Sequence, residues 1–226
     1  MRTDSITRRK VGILGGTFDP VHNGHLIAAA CVHEFLGLDR LLMIPCAIPP
    51  HKPNRAVASP RERLEMLEIA TAGDPRLEAS DIEAKRGGAS YTIDTLRCLK
   101  SREPEDRFFL ILGNDAFAEI ATWKEYEALL QEVELVLMLR AGYARDEVLA
   151  RMPAGLTRMI ADAPCIEGPD GGQAALERGK KYYAVQVPQI GISGSMVRAL
   201  VKERRSIRYL VPDAVMKYID ERGLYQ

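Results

Sequence analysis

The 226-residue chain has little cysteine, no surplus of charge and no long apolar run, and each shortage excludes something. Cys31, Cys46, Cys98 and Cys165 are scattered, with no C-x-x-C pair. That excludes a dense disulfide framework and predicts free thiols in a reducing compartment. Lys plus Arg and Asp plus Glu number 31 each. Net charge therefore gives no pointer to nucleic acid or a membrane surface, and any anionic partner is expected to be small. No run approaches the roughly 20 apolar residues of a membrane span, and the apolar part of the basic "MRTDSITRRKVGILGG" is too short for a signal segment. A cytoplasmic protein without a membrane partner is expected, with assembly into homo-oligomers left open. Two glycine patterns are also missing: Gly12, Gly15 and Gly16 fit neither G-x-G-x-x-G nor G-x-x-x-x-G-K-[ST]. Ordinary dinucleotide oxidoreductases and P-loop enzymes are thereby disfavoured.

What is present alternates. Short runs rich in Val, Ile and Leu recur at 10–15, 40–45, 107–113 and 134–140, with a weaker one at 182–187. They are almost free of charge, as strands covered on both faces are. Helical spacing separates them at roughly 24–36, 60–72, 90–101 and 124–131, with Ser59-Pro60 as a cap and first-turn proline. Strands alternating with helices imply right-handed crossovers, hence a Rossmann-like, doubly wound, mostly parallel α/β sheet with helices on both faces. The length suits one domain over 1–226. Within it, 1–9 reads as a flexible extension, 141–181 as a variable loop-rich region around "CIEGPDGG", and 193–226 as C-terminal helices, the last opened by Pro212 and closed by Gly223.

The densest chemistry lies in "GILGGTFDPVHNGH", residues 12–25. Gly15 and Gly16 fall between the first strand and the first helix, where ligands gather in parallel sheets and where backbone N–H groups can approach an anion. His22 and His25 straddle the helix start at Asn23 or Gly24, so both rings can face one side near a helix N-terminus. A zinc site would need more ligands than these histidines and Asp19 supply, so no metal-ligating residue is assigned. A phosphate cradle fits better. His33, eight residues beyond His25, reads as structural or solvated.

This motif resembles the H-x-G-H signature of the nucleotidylyltransferase superfamily and, in its long form, that of the bacterial nicotinate-nucleotide adenylyltransferase family. The likeness continues in order through "IPPHKP" (48–53), "GGASYTIDTL" (87–96), "LGND" (112–115), "TWKEY" (122–126), "ISGSMVR" (192–198) and "IRYLVPDAVMKYI" (207–219). It implies adenylyl transfer from ATP to nicotinate mononucleotide, giving nicotinate adenine dinucleotide and pyrophosphate in NAD biosynthesis. A phosphate acceptor is already largely ionised at neutral pH, so no strong general base is needed. Positioning and charge stabilisation should carry the rate.

The resemblance also implies the roles. His22, His25 and Arg198 are expected to act on the ATP phosphates. Gly15, Gly16, Thr17, Phe18, Asp115, Ser193 and Ser195 would bind ATP, with Asp115 on its ribose or adenine. His51, Lys52, Tyr91, Thr92 and Trp123 would bind the mononucleotide, with the chain's single tryptophan stacked on the pyridine ring. Mg²⁺ is expected to enter with ATP and to have few protein ligands. Two departures stand out: Gly194 occupies a place where a second hydroxyl residue is common, and Cys46 one where Asn is common. Acid and amide mononucleotides, phosphopantetheine, and a non-catalytic nucleotide-binding module remain open as alternatives.

Overall fold

The computed structural model describes residues 8–48, 58–140, 150, 154–168, 176 and 180–226. Seven parallel strands make one sheet: β1 (Lys10–Gly16), β2 (Arg40–Pro45), β3 (Leu77–Ala79), β4 (Arg107–Gly113), β5 (Glu134–Arg140), β6 (Cys165–Ile166) and β7 (Tyr182–Val187), in the spatial order β3-β2-β1-β4-β5-β7-β6. The fold is Rossmann-like and doubly wound. The five apolar runs become the five longest strands because a strand covered on both faces has no place for polar side chains. β1 shows this: Val11, Ile13 and Leu14 are buried, and its neighbours in register are Leu42 and Leu110 beside Ile13.

The helices are α1 (Asn23–Leu36), α2 (Pro60–Thr71), α3 (Ile82–Arg86), α4 (Thr92–Arg102), α5 (Asn114–Ala118), α6 (Tyr126–Glu132), α7 (Ala154–Ala161), α8 (Gly194–Lys202) and α9 (Asp213–Arg222). Their ends follow capping chemistry. Ser59 Oγ accepts from the Glu62 N–H at 3.3 Å while Glu62 Oε2 accepts from the Ser59 N–H at 2.7 Å, with Pro60 opening α2. α9 starts after Pro212 and closes on Gly223 in a left-handed conformation.

Two cores flank the sheet. α1, α2, α8 and α9 cover one face with Val32, Leu36, Leu67, Val197, Val215 and Ile219. α4 to α7 cover the other with Ile93, Leu96, Phe117, Leu129, Leu156 and Ile160. The chain changes face between β3 and β4. β1 and β4 are therefore adjacent strands whose following helices leave on opposite sides, and a crevice opens beyond their carboxyl ends.

The structure adds elements that the sequence pattern does not show and shifts one boundary. β3 and α3 lie in "LEASDIEAKR", which carries too few consecutive apolar residues to register as a strand. The 141–181 stretch, read as loop-rich, contains α7 and the edge strand β6 among its described residues; a two-residue strand has no periodicity to detect. Ser90 and Tyr91 precede α4 instead of lying in it, with Tyr91 as its N-cap. All four cysteines are free.

Candidate active site

The carboxyl end of β1 carries the first group of site residues. After Gly16 the chain turns through Thr17, Phe18, Asp19, Pro20 and Val21 to His22, the N-cap of α1. Phe18 is buried with φ +49°, an uncommon conformation for a bulky residue. Its ring lies against Gly16, where a Cβ would meet it at 3.0 Å, and stands edge-on to His25 at 4.9 Å between centroids.

The two histidines of the motif meet. His22 and His25 stack with centroids 3.6 Å apart and planes 20° apart. The His22 N–H donates to His25 Nδ1 at 3.3 Å. In a neutral imidazole, an accepting Nδ1 places the proton on Nε2, so His25 keeps a donor on the edge away from the backbone. Gly24 makes room for this arrangement: a Cβ there would lie 3.1 Å from His22 Nδ1.

"ISGSMVR" arrives at the same loop from β7 and α8. Ser193 caps α8 by accepting from the Met196 N–H at 3.2 Å, and its Oγ is 3.1 Å from Ser195 Oγ. Arg198 Nη1 donates to the Asp19 carbonyl at 2.5 Å and lies 3.6 Å from Asp19 Oδ2. A guanidinium has five N–H donors, so Arg198 can serve Asp19 through one nitrogen and an anion through the others. Gly194 acquires a steric explanation: a Cβ would come 2.8 Å from the Asp19 carbonyl oxygen. The missing hydroxyl at this position matches a close approach between the α8 N-terminus and the motif loop.

On the other side of Gly15 and Gly16 lies a cavity of about 210 Å³ walled by β1, β2, β4 and α4. Gly15, Gly16, Thr17, Cys46, Thr92 and Trp123 line it, so the structure brings together three of the residues expected at the ATP end with two expected at the mononucleotide end. Trp123 is half-buried, as a ring offering one face to a ligand must be. Tyr91 adjoins as the α4 N-cap, its ring 5.0 Å from Lys124 Nζ. Asp115 is exposed in the first turn of α5, at the carboxyl end of β4; the N-cap there is Gly113. His51 and Lys52 lie outside the described residues. His33 sits in the last turn of α1, and burial lowers its pKa.

Four residues that shape the site carry no signal in the sequence. Arg63, 1% exposed, donates from Nη1 to the carbonyls of Thr17 (2.8 Å) and Cys46 (2.7 Å), and from Nε to that of Ala58 (3.3 Å). One buried cation thus ties the β1 loop, the β2 loop and the start of α2 together. Burial lowers its pKa, and nearby Asp19 works against that shift. Glu83 is buried at the cavity wall, where its Oε1 accepts from the Thr95 hydroxyl at 2.7 Å. Ser90 clamps the β2 loop, its Oγ accepting from the N–H groups of Ala47 (2.9 Å) and Ile48 (3.2 Å). Tyr225 donates its hydroxyl to Asp19 Oδ1 at 2.7 Å. In the sequence these were helix-surface, loop and tail residues. Cys46, beside Ser90, has its thiol pKa raised by burial. Among the described residues no three His, Cys, Asp or Glu side chains converge as a metal-binding group, and no helix is long and apolar enough to cross a membrane.

A switch-point crevice flanked by a histidine pair at one helix N-terminus and a Ser/Arg cluster at another defines a nucleotide-handling α/β protein, and a cytidylyltransferase-like family model matches residues 13–200. The chain is 41% identical over 216 residues to a protein of Desulfatibacillum aliphaticivorans, covering 96% of this chain and 99% of that one. It is 43% identical over 216 residues to one of Citrifermentans bemidjiense, covering 96% and 98%. Both are named probable nicotinate-nucleotide adenylyltransferase. The chain belongs to the nicotinate-nucleotide adenylyltransferase family. In fold it is similar to the Plasmodium falciparum nicotinic acid mononucleotide adenylyltransferase complexed with NaAD, with a TM-score of 0.71 at 19% identity over 96% of this chain and 98% of that one. The same Plasmodium falciparum enzyme complexed with APC gives 0.70 at 19% identity and the same coverage.

Proposed function

We propose that the chain transfers the adenylyl group of ATP to nicotinate mononucleotide, releasing pyrophosphate. The observation that carries this reading is the meeting of the stacked His22–His25 pair and the Ser193/Ser195/Arg198 end of α8 at one loop, beside a cavity bordered by Trp123. It agrees with the names of relatives about 40% identical over nearly the whole chain.

The chemistry needs little beyond these parts. An oxygen of the mononucleotide phosphate attacks the α-phosphorus of ATP. That P–O bond forms as the bond from the α-phosphorus to the oxygen bridging the β-phosphate breaks, and the electron pair leaves with pyrophosphate. The nucleophile arrives ionised, so no side chain has to remove a proton. His22, His25, Ser193, Ser195 and Arg198 would hold the triphosphate and stabilise charge on the leaving group; Mg²⁺ would enter bound to the ATP phosphates and add to that stabilisation. Gly15 and Gly16 at the end of β1, with Thr17 and Phe18 in the turn that follows, would bind ATP, and Asp115 would meet the ATP ribose or adenine. Trp123 would stack on the pyridine ring with Tyr91 and Thr92 at its carboxylate, and His51 and Lys52 would meet the mononucleotide phosphate. Alignment of two reactants supplies about 7–11 kcal/mol, and one preorganised donor about 3–4 kcal/mol.

The test is pyrophosphate release from ATP and Mg²⁺ with nicotinate mononucleotide, its amide and phosphopantetheine offered separately. Preferred turnover of the acid is expected. Preference for another acceptor corrects the substrate, and no turnover with any of them refutes the transfer reaction. His25→Ala should lower kcat about 100-fold in a folded protein, the scale of one lost donor.

A further inference from the structure

Asp19 is the least exposed charged group of the motif loop, its side chain 2% exposed. Three groups from distant parts of the chain converge on it. The Tyr225 hydroxyl (2.7 Å) and the Ala58 N–H (3.2 Å) both donate to Oδ1, while Arg198 Nη1 faces Oδ2 at 3.6 Å and donates to the Asp19 carbonyl at 2.5 Å. Two donors on one carboxylate oxygen fix the plane of the group, and a fixed plane aims the second oxygen at the guanidinium.

The backbone around this carboxylate is held out of its ordinary range at two places. Phe18, immediately before Asp19, has φ +49°, and Tyr225 has φ +67°; neither is a glycine. Such conformations persist only where the surroundings over-determine them, and they gather at functional sites. Helix α9 does not require the Tyr225 conformation. It is closed at Gly223, whose N–H and that of Leu224 return to the carbonyls of Asp220 and Ile219. Beyond that cap the chain turns back and buries Tyr225 to 9% exposure against a loop 206 residues earlier. Burial first, and then the hydrogen bond to Asp19, raise the phenol pKa, so the hydroxyl stays a donor across the working range.

We propose that Tyr225, acting through Asp19, is a positioning residue for Arg198 in the transfer step; this rests on the phosphate role given to Arg198 above. The Arg198 side chain is 24% exposed and stands one turn beyond Ser195 on α8. A long side chain at the mouth of a cleft has many rotamers, and its value to a developing charge depends on being held in one of them beforehand. Asp19 holds it through two atoms, and Tyr225 holds Asp19.

A double-mutant cycle in the full chain tests this, with kcat, KM for ATP and the melting temperature measured for the wild type, Tyr225→Phe, Arg198→Met and the double variant. Tyr225→Phe keeps the ring and removes the donor. It is expected to lower kcat about five- to twentyfold while KM for ATP changes less than about threefold. In the Arg198→Met background the same substitution should change kcat less than about twofold, because nothing remains to be positioned. Unchanged kcat in Tyr225→Phe, or an equal loss in both backgrounds, overturns the proposal in favour of a purely structural tyrosine. Full activity in Arg198→Met would overturn the phosphate role of Arg198 and this proposal together, whereas a crippled Arg198→Met with an additive Tyr225 effect overturns the proposal alone.

Discussion

Gly24→Ala separates activity from stability. Gly24 occupies the first turn of α1, where alanine is the better helix former by at most about 1 kcal/mol. A Cβ at that position would stand 3.1 Å from His22 Nδ1 and 3.2 Å from its Cε1, so the ring must move by a few tenths of an ångström. It cannot slide freely: the ring is stacked on His25 at 3.6 Å between centroids, and His25 in turn meets the Phe18 ring at 4.9 Å. The displacement therefore passes to the histidine pair. Misplacing a catalytic group by about 1 Å costs about 100-fold, so a shift of a few tenths should cost roughly three- to tenfold in kcat. The helix gain and the crowding cost oppose each other, which keeps the melting temperature within about 3 °C of the wild type for a chain of this length. Steady-state pyrophosphate release and a thermal melt of the same preparation provide both numbers. Wild-type kcat in a variant of unchanged melting temperature would refute the claim that the placement of the imidazoles limits the reaction.

Three further perturbations probe the frame around the histidines. Arg63→Met keeps an apolar stem but removes the donors to the Thr17 and Cys46 carbonyls; at about 1–3 kcal/mol per orphaned buried acceptor, less the desolvation no longer required of a guanidinium, about 3 kcal/mol should be lost, a drop of about 6–12 °C by calorimetry. An unchanged melting temperature would show that these bonds are replaceable. Gly194→Ser places a Cβ 2.8 Å from the Asp19 carbonyl and should destabilise by about 1–3 kcal/mol while lowering kcat, despite adding a hydroxyl beside Ser193 and Ser195; a gain in activity would contradict the steric reading. His33 has its pKa lowered in the folded chain, chiefly by burial and then by Arg76. Its contribution to stability is therefore complete above the unfolded value near 6.5 and is lost as pH falls from there through the folded value. His33→Leu should flatten the decline in melting temperature below pH 6.5, and parallel declines in the two proteins would exclude this origin.

Local sequence alone determined the larger strands, the caps and the first-turn prolines. A buried parallel strand such as "RFFLILG" needs an unbroken apolar run, and a cap such as Ser59 with Glu62 is settled within four residues. The histidine pair was legible for the same reason, since three residues across a helix start bring two rings to one side. β3 and β6 were not legible: strands of three and two residues owe their existence to neighbours already in place. The frame of the site also belonged to the tertiary structure. Asp19, Ala58, Arg63, Arg198 and Tyr225 are spread over about 200 residues, and no spacing rule links them. Only the crossing of the sheet, which puts α2, α8 and α9 on the same face as α1, closes them around one loop. Sequence thus placed the groups aimed at substrate, because their chemistry is local. Burying a guanidinium and a carboxylate requires partners from elsewhere in the chain, so what holds those groups still was decided by the fold.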